Sequence, residues 1–245
     1  MRSRSLIFPL LAMSAWVVAA SVLGFQGETI SFSKHKMFIE FNASADDVGV
    51  QVLVDGEPWK RLDVFHPNGN RILQIDGRGS LRLQGLTELF FESSEPSLKE
   101  LPLNEFLARF PEGTYELKGA TVDGIGIEGT AVLDHTIPAG PEVVFPDSPD
   151  GEPPFVDPDR LVIEWKPVTR TIDGSTSLRI VGYQVIVEQE NPLRVFSIDL
   201  PASATSVRVP SGFLVQRDTL HKFEVLAVEE SGNQTITEGE FLTYP

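Results

Sequence analysis

The sequence contains no cysteine. A chain without cysteine has no disulfide, no thiol nucleophile and no thiol to which a lipid could be attached. Its stability must therefore come from burial of apolar side chains, and a chain of 245 residues, 41% of them hydrophobic, is long enough to form such a core. Among exported proteins, a lack of disulfides is more typical of the bacterial envelope than of animal ectodomains.

Histidine is scarce, and motifs of common enzyme classes are missing. The four histidines, none of which has the spacing of a metal motif, are His35, His66, His135 and His221. The chain also has no G-x-S-x-G elbow, phosphate-binding loop or dinucleotide fingerprint. A catalytic triad could still form, because its residues need no local motif. A pair of glycosidase carboxylates could also form, because among 35 acidic residues some pair always has the required separation. Since neither possibility points to particular residues, we predict a non-enzymatic protein with no catalytic or cofactor-binding residue.

Basic residues are few relative to acidic ones. The chain has 20 Lys and Arg against 35 Asp and Glu, a formal net charge of −15. A surface of this charge repels nucleic acid and anionic lipid. It is compatible with divalent cations, with a basic partner, or simply with solvation. We expect the partner to be another envelope or extracellular protein, and not nucleic acid.

Residues 1–20 have the pattern of a secretory signal peptide. Arg2 and Arg4 form a basic start, an apolar run follows, and Val18-Ala19-Ala20 suits cleavage after small residues. The alternative is an uncleaved anchor, because residues 6–25 are long enough to span a bilayer. We therefore predict a secreted or periplasmic protein, attached to the membrane only if this segment is retained.

Residues 161–227 contain three runs in which apolar and polar residues alternate. The runs are LVIEWKPV, IVGYQVIVEQE and HKFEVLAV, and they are rich in β-branched and aromatic residues. This period of two is typical of strands that are half-buried in an antiparallel sheet.

The same region resembles a fibronectin type III domain. Trp165, Tyr183 and the run VQRDTLHKFEVLAV carry the resemblance, which covers about residues 141–245. The family's Leu-x-Pro-x-Thr-x-Tyr corner is matched by Val215, Arg217, Thr219 and His221, so His221 stands where the family has tyrosine. We expect His221 to replace the hydrogen bond of that tyrosine. The resemblance implies a β-sandwich that serves as a spacer or binding module.

Residues 28–140 predict a separate β-sandwich of no family that we recognise. VGVQVLVDGEPWKRLDVF has the pattern of a hairpin with its turn at Asp55-Gly56, and RILQIDGRGSLRLQG has that of a second strand pair. LPLNEFLARF has the apolar spacing of one short helix, and GTYELKGATVDGIGIEGTAVLDHTI predicts two final strands.

A segment rich in Pro, Gly and Asp, residues 138–159, predicts a linker that leads into an irregular first strand at 141–145. It carries the acids that we consider as calcium ligands: Asp147, Asp150, Glu152, Asp157 and Asp159. Their spacing does not match an EF-hand loop, so a solvated acidic linker is the alternative.

Candidate binding surfaces are the loop Ser231-Gly232-Asn233, the loop of residues 171–177 and the region around Trp59. Trp59 follows a turn signal and a proline, so we predict partial exposure, as in a sugar-binding platform. The sequence as a whole predicts an exported, all-β protein of two sandwich domains that acts as a non-catalytic adhesion, scaffold or protein-interaction module. The alternative is a carbohydrate-binding or calcium-dependent ligand module.

Overall fold

The computed structural model of the protein describes residues 29–148 and 151–245. The predicted signal peptide lies outside these residues. Within them the all-β prediction is confirmed by fifteen strands and two short helices: β1 (Thr29–Ser31), β2 (Lys34–Asn42), β3 (Asp47–Phe65), β4 (Arg71–Asp76), α1 (Ser80–Gln84), β5 (Leu86–Glu92), α2 (Leu103–Arg109), β6 (Gly113–Thr121), β7 (Gly126–Leu133), β8 (Val143–Phe145), β9 (Phe155–Val156), β10 (Val162–Trp165), β11 (Ile180–Gln189), β12 (Arg194–Pro201), β13 (Ser206–Arg208), β14 (Leu220–Glu229) and β15 (Gln234–Thr243). Neither helix is long and apolar enough to cross a bilayer.

The N-terminal lobe, which comprises β1–β7 with α1 and α2, is built around the long strand β3. The first half of β3 pairs with β2 and β5, and its second half pairs with β4 and β6. Strand β7 extends the second half through β6, and β1 pairs with β7 in parallel. The two halves share one hydrophobic core that includes Val50, Val52, Trp59, Leu62 and Val64. Full burial of each such side chain contributes about 1.5–3 kcal/mol.

The predicted hairpin turn at Asp55-Gly56 is wrong. The chain does not reverse there, because β3 continues through both residues to Phe65. Neither residue has the positive φ that a two-residue hairpin turn of this type requires. The strand bends instead, and its pairing register with β5 shifts between Asp55 and Trp59. A Cβ atom on Gly56 would lie 3.0 Å from the side chains of Phe32 and Ile127, so glycine permits close packing at the bend.

The segment after β4 also differs from the prediction. Residues 80–84 form the short helix α1 rather than a strand, between Gly79 (φ 53°) and Gly85 (φ 80°). Leu81 and Leu83, whose alternation suggested a strand, are 52% and 83% exposed, so neither side chain packs in the core. The helix predicted from LPLNEFLARF is confirmed as α2, in which Phe106 is buried.

The C-terminal lobe, which comprises β8–β15, has a second hydrophobic core. The three strands predicted from alternation are confirmed as β10, β11 and β14. Trp165 and Tyr183 lie in this core with ring centroids 5.4 Å apart. His221 is fully buried, and its Nδ1 lies 3.0 Å from the carbonyl oxygen of Thr219, so the predicted hydrogen-bonding role of this histidine is confirmed.

The two lobes share one sheet. Strand β15 of the C-terminal lobe pairs in parallel with β2 of the N-terminal lobe, which produces a twelve-stranded sheet with the central order β1-β7-β6-β3-β2-β15-β14-β11-β12. Strands β13, β10 and β8 form a separate three-stranded sheet. Residues 138–159, which the sequence predicts as a linker, thus connect two lobes that are also joined by the pairing of β2 with β15.

Candidate functional site

A buried, hydrogen-bonded polar site lies where the lobes meet. Three residue pairs define the parallel ladder: Gln234 with Glu40, Thr235 with Phe41, and Ile236 with Asn42. The ladder continues past the end of β2, because the Ala43 N–H donates to the Ile236 carbonyl at 2.9 Å.

Asn233 lies at the centre of this junction. Its Oδ1 accepts a hydrogen bond from the Ile39 N–H at 2.7 Å. Its Nδ2 donates to the carbonyl oxygens of Asp134 and Thr136 at 3.0 and 3.2 Å. The side chain amide therefore connects β15 both to β2 and to the chain that follows β7. Only 1% of Asn233 is exposed, so its prediction as a binding-surface residue is wrong.

Ser231 belongs to the same structured turn and is half-buried. Its hydroxyl and its N–H donate to the carboxylate of Glu229 at 2.5 and 2.8 Å, and Glu229 itself is 3% exposed. The turn that begins at Ser231 is therefore organised to direct Asn233 inward, and it is not a free display loop.

A second contact between the lobes lies beside the ladder. The Thr235 hydroxyl donates to the Pro138 carbonyl at 2.6 Å. A Cβ atom added to Gly140 would lie 2.6 Å from the Cβ of Ala43, closer than such atoms approach in proteins. The absence of a side chain at residue 140 therefore allows the chain to pass directly against the junction.

The loop of residues 171–177, predicted as a binding surface, is partly an interlobe connection. The Ile172 N–H donates to the Ile137 carbonyl at 3.0 Å, and the Ala139 N–H donates to the Arg170 carbonyl at 2.9 Å. The Ile172 side chain packs against the core of the N-terminal lobe. Residues 173–177 are exposed.

Three carboxylates converge beside the junction. Glu40, Glu92 and Glu95 each place one oxygen within 4.8 Å of the others, and Glu40 is 7% exposed. Gln51 donates to Glu40 Oε1 at 2.6 Å and to Glu92 Oε1 at 2.9 Å, while Gln234 donates to Glu40 Oε2. Both oxygens of the buried carboxylate therefore already have amide donors.

Burial and the charges of neighbouring acids make Glu40 and Glu95 weaker acids than usual. Burial, followed by the charge of Glu92, raises the pKa of Glu95 to about 7. Burial likewise raises the pKa of Glu40 above its usual range, although the hydrogen bond from Gln234 acts to lower it. Glu95 can thus hold a proton near neutral pH. Nothing local in the sequence indicated this cluster, because its members come from β2, from β5 and from the segment after β5.

The same acidic surface continues across the sheet into the C-terminal lobe. Glu224 on β14 is directly opposite Glu238 on β15. Burial, then the charges of Glu238 and Glu188, raises the pKa of Glu224 to about 7.

The linker acids that the structure describes do not form a convergent group. Asp147, Asp157 and Asp159 are exposed. Asp157 is 3.9 Å from Arg160 and Asp159 is 3.5 Å from Arg217, so each has an arginine as its ionic neighbour. Asp150 lies outside the described residues. In residues 29–148 and 151–245, the acids that meet are Glu40, Glu92 and Glu95 rather than those of the linker.

Trp59 is fully buried in the N-terminal core, with 0% of its surface exposed. The prediction of partial exposure is wrong because the turn signal beside it forms a bend inside β3, which turns the indole toward the core. Trp59 therefore cannot act as a platform for a sugar.

Each of the four histidines lies against a main-chain carbonyl, which gives it a structural partner: His35 with Thr130 at 2.8 Å, His66 with Arg109 at 3.4 Å, His135 with Phe110 at 2.8 Å, and His221 with Thr219 at 3.0 Å.

No family model matches the chain, and no curated protein matches it in sequence. Among solved structures it is similar to a tetra-tandem repeat in the extending region of a large adhesion protein, with 10% identity, a TM-score of 0.30 and coverage of 86% of this chain. This chain spans about half, 49%, of that structure. A two-domain fibronectin type III segment of chicken tenascin has 12% identity and a TM-score of 0.31, with coverage of 82% of this chain and 94% of that one. A bacterial ice-binding adhesin has 14% identity and a TM-score of 0.28, with coverage of 89% and 65%. These TM-scores are low, so the description of the fold rests on the strand order and the two cores.

Proposed function

We propose that this protein is an exported, non-catalytic scaffold or adhesion module, in which two β-rich lobes act as one rigid body that engages another envelope or extracellular protein. The observation that carries this proposal is the continuous sheet formed by β2 and β15. Export follows from the signal-like pattern of residues 1–20.

Rigidity follows from the kind of bonds that cross the junction. Domains of one chain move relative to one another unless their interface is extensive or well bonded. Here the interface contains backbone pairing, the buried amide of Asn233 and the Thr235 hydroxyl. Opening the junction would exchange these hydrogen bonds for bonds to water, at a net cost of about 0.5–1.5 kcal/mol for each, and would expose the apolar groups packed around them. A body of this kind holds surfaces of the two lobes at a fixed distance, which a scaffold or spacer requires.

The ligand-module alternative has less support. Trp59, on which the carbohydrate interpretation depended, is buried. Of the linker carboxylates on which the calcium interpretation depended, those that the structure describes are exposed, and two of them lie beside arginines. The net charge of −15 favours a partner with a basic surface.

Distance measurement between the lobes tests the rigid-body proposal. Since the chain has no cysteine, the substitutions Lys99→Cys and Ser197→Cys provide two unique positions for spin labels, one on each lobe. Both residues are exposed. We expect a single narrow distance distribution by pulsed electron paramagnetic resonance. A broad distribution in the otherwise unaltered chain would contradict the proposal.

Photo-cross-linking in the cells that produce the chain tests the partner. A photoreactive residue at an exposed acidic position such as Glu190 should yield a discrete covalent adduct with a protein whose contact surface is basic, and the yield should fall with added salt. Adducts with many unrelated proteins, at a yield insensitive to salt, would argue against a specific interaction module.

A further inference from the structure

The N-terminal lobe contains an apolar cavity of about 370 Å³ between the two halves of its core. Eight of its ten lining residues are apolar, and the other two are Ser93 and Arg109. Its floor is formed by core valines, of which Val50, Val52 and Val64 are at most 2% exposed. The volume lies within the range of about 300–1,000 Å³ that is common for small-molecule sites.

The cavity opens where the sandwich lacks a closing strand. Strands β4 and β5 both pair only with β3, one on each half, so each is an edge. The connection between them forms α1, and its leucines are exposed rather than inserted between the edges. Ile72, which is 46% exposed, and the half-buried Phe91 therefore stand at the mouth of an apolar cleft.

Arg109 is the charged residue that lines the cavity. It is the last residue of α2 and is exposed. No carboxylate in residues 29–148 and 151–245 forms an ion pair with it. Ser93 is already engaged, because its hydroxyl accepts from the Val50 N–H at 3.0 Å and donates to the Ser94 carbonyl at 3.1 Å. Of the two polar lining residues, Arg109 is therefore the one whose side chain is available to an incoming molecule.

We infer that this cavity binds a small anionic amphiphile, a molecule with an apolar chain or ring that fills the cleft and one carboxylate or similar group that meets Arg109. The apolar part would gain from leaving water against the valine floor. The guanidinium matches a carboxylate in shape and charge. In a chain with a net charge of −15, this unpaired arginine beside an apolar opening is what selects an anion over a neutral or cationic molecule.

Titration calorimetry of the whole protein with octanoate, octanol and octylamine tests this inference, because the three probes share a chain and differ in the head group. We expect one saturable site for octanoate, binding of octanol about fivefold weaker, and binding of octylamine weaker still. Added salt should reduce the preference for octanoate, since the ion pair is exposed. Methyl NMR resonances of Val50 and Val52 should shift with octanoate.

Two substitutions locate the effect. Arg109→Gln should remove the preference for octanoate over octanol, whereas Arg78→Gln, at an exposed arginine outside the cavity, should leave it unchanged. Leu73→Trp should fill the mouth and abolish binding of all three probes. If its thermal melt shows that this variant is unfolded, Ile72→Trp at the more exposed position replaces it.

The inference is overturned if no probe binds saturably or if the valine resonances do not move. Equal affinity for octanoate and octanol, unchanged in Arg109→Gln, would also overturn it and would leave an apolar side chain of a partner protein as the occupant of the cleft.

Discussion

The side chain of Asn233 accepts a hydrogen bond from the backbone of Ile39 at 2.7 Å, across the lobe junction and 194 residues away in the chain. The bond is buried, and the same amide donates to two carbonyls after β7. One side chain thus completes the hydrogen bonding of three chain segments.

Replacing this amide should weaken the whole fold. In Asn233→Ala the Ile39 N–H and the Asp134 and Thr136 carbonyls lose their partner, so we expect the free energy of unfolding to fall by about 2–3 kcal/mol. Urea denaturation measures the change. Asn70→Ala is the matched control, because Asn70 is exposed in a turn. The same Asn233→Ala substitution in the spin-labelled chain should broaden the distance between the lobes. A loss equal to that of the control would show that the amide contributes little.

A side chain at residue 140 should strain the contact between the lobes beside the β2–β15 ladder. The new methyl group of Gly140→Ala would lie 2.6 Å from the Ala43 Cβ and 3.0 Å from the Thr237 hydroxyl. Overpacking of this kind costs about 1–3 kcal/mol. Gly212→Ala is the control, since a Cβ there has nothing within 4 Å and its φ is not in the left-handed region. Equal melting temperatures for the two variants would mean that the junction yields to the extra atom.

The acidic surface should make the protein less stable as pH rises toward neutrality. The folded-state pKa of Glu224 is raised to about 7, above its usual range. The folded chain therefore binds the proton more tightly than the unfolded chain. This stabilisation is complete in acid, below the usual glutamate pKa, and is lost as pH rises through about 7. Glu95 acts in the same direction.

The variant Glu224→Gln isolates this effect. Relative to the parent, it should be more stable at about pH 8.5, where the parent carries the buried charge, and nearly equal at about pH 4, below the usual glutamate pKa. The difference between the two proteins is the quantity to measure, because burial lowers the pKa of His221 and gives the parent an opposing loss of stability in acid. A difference that does not change with pH, or that grows in acid, would contradict the assignment.

The two tryptophans of the described chain should be shielded from water. Trp59 and Trp165 are 0% and 2% exposed. In Trp16→Phe, which removes the remaining indole, we expect a blue-shifted emission and weak quenching by iodide, with both effects lost in urea. Strong quenching in the folded protein would require that Trp59 or Trp165 is accessible to water, which would contradict the burial of both indoles.

Alternation along the chain predicted the C-terminal lobe well because its strands have one buried face each. Val185 and Val187 on β11, for example, are fully buried between partly exposed neighbours. The turn signal at Asp55-Gly56 failed because packing of Gly56 against Phe32 and Ile127 favoured a bend over a reversal. The misplacement of Trp59 followed directly from that error.

The junction could not be predicted from local pattern. Asn233 follows a serine and a glycine, as a loop residue would, and the donor to its side chain lies in β2 while its acceptors lie beyond β7. Glu40 likewise reads as an ordinary polar position of an alternating strand until β3 and β15 place Gln51 and Gln234 against it. Both sites depend on which strands become neighbours, and the alternation of apolar and polar residues along a strand does not specify its neighbours.

The parallel pairing of β2 with β15 has a consequence for how the chain folds. During synthesis β2 emerges long before β15, so the edge of β2 at residues 40–42 has no partner while the rest of the chain is made. An uncovered strand edge readily pairs with other chains, and contacts between such distant segments form slowly. The interval before the sheet closes is thus the period in which a nascent chain is most prone to aggregate, and a holding chaperone would be of greatest use then.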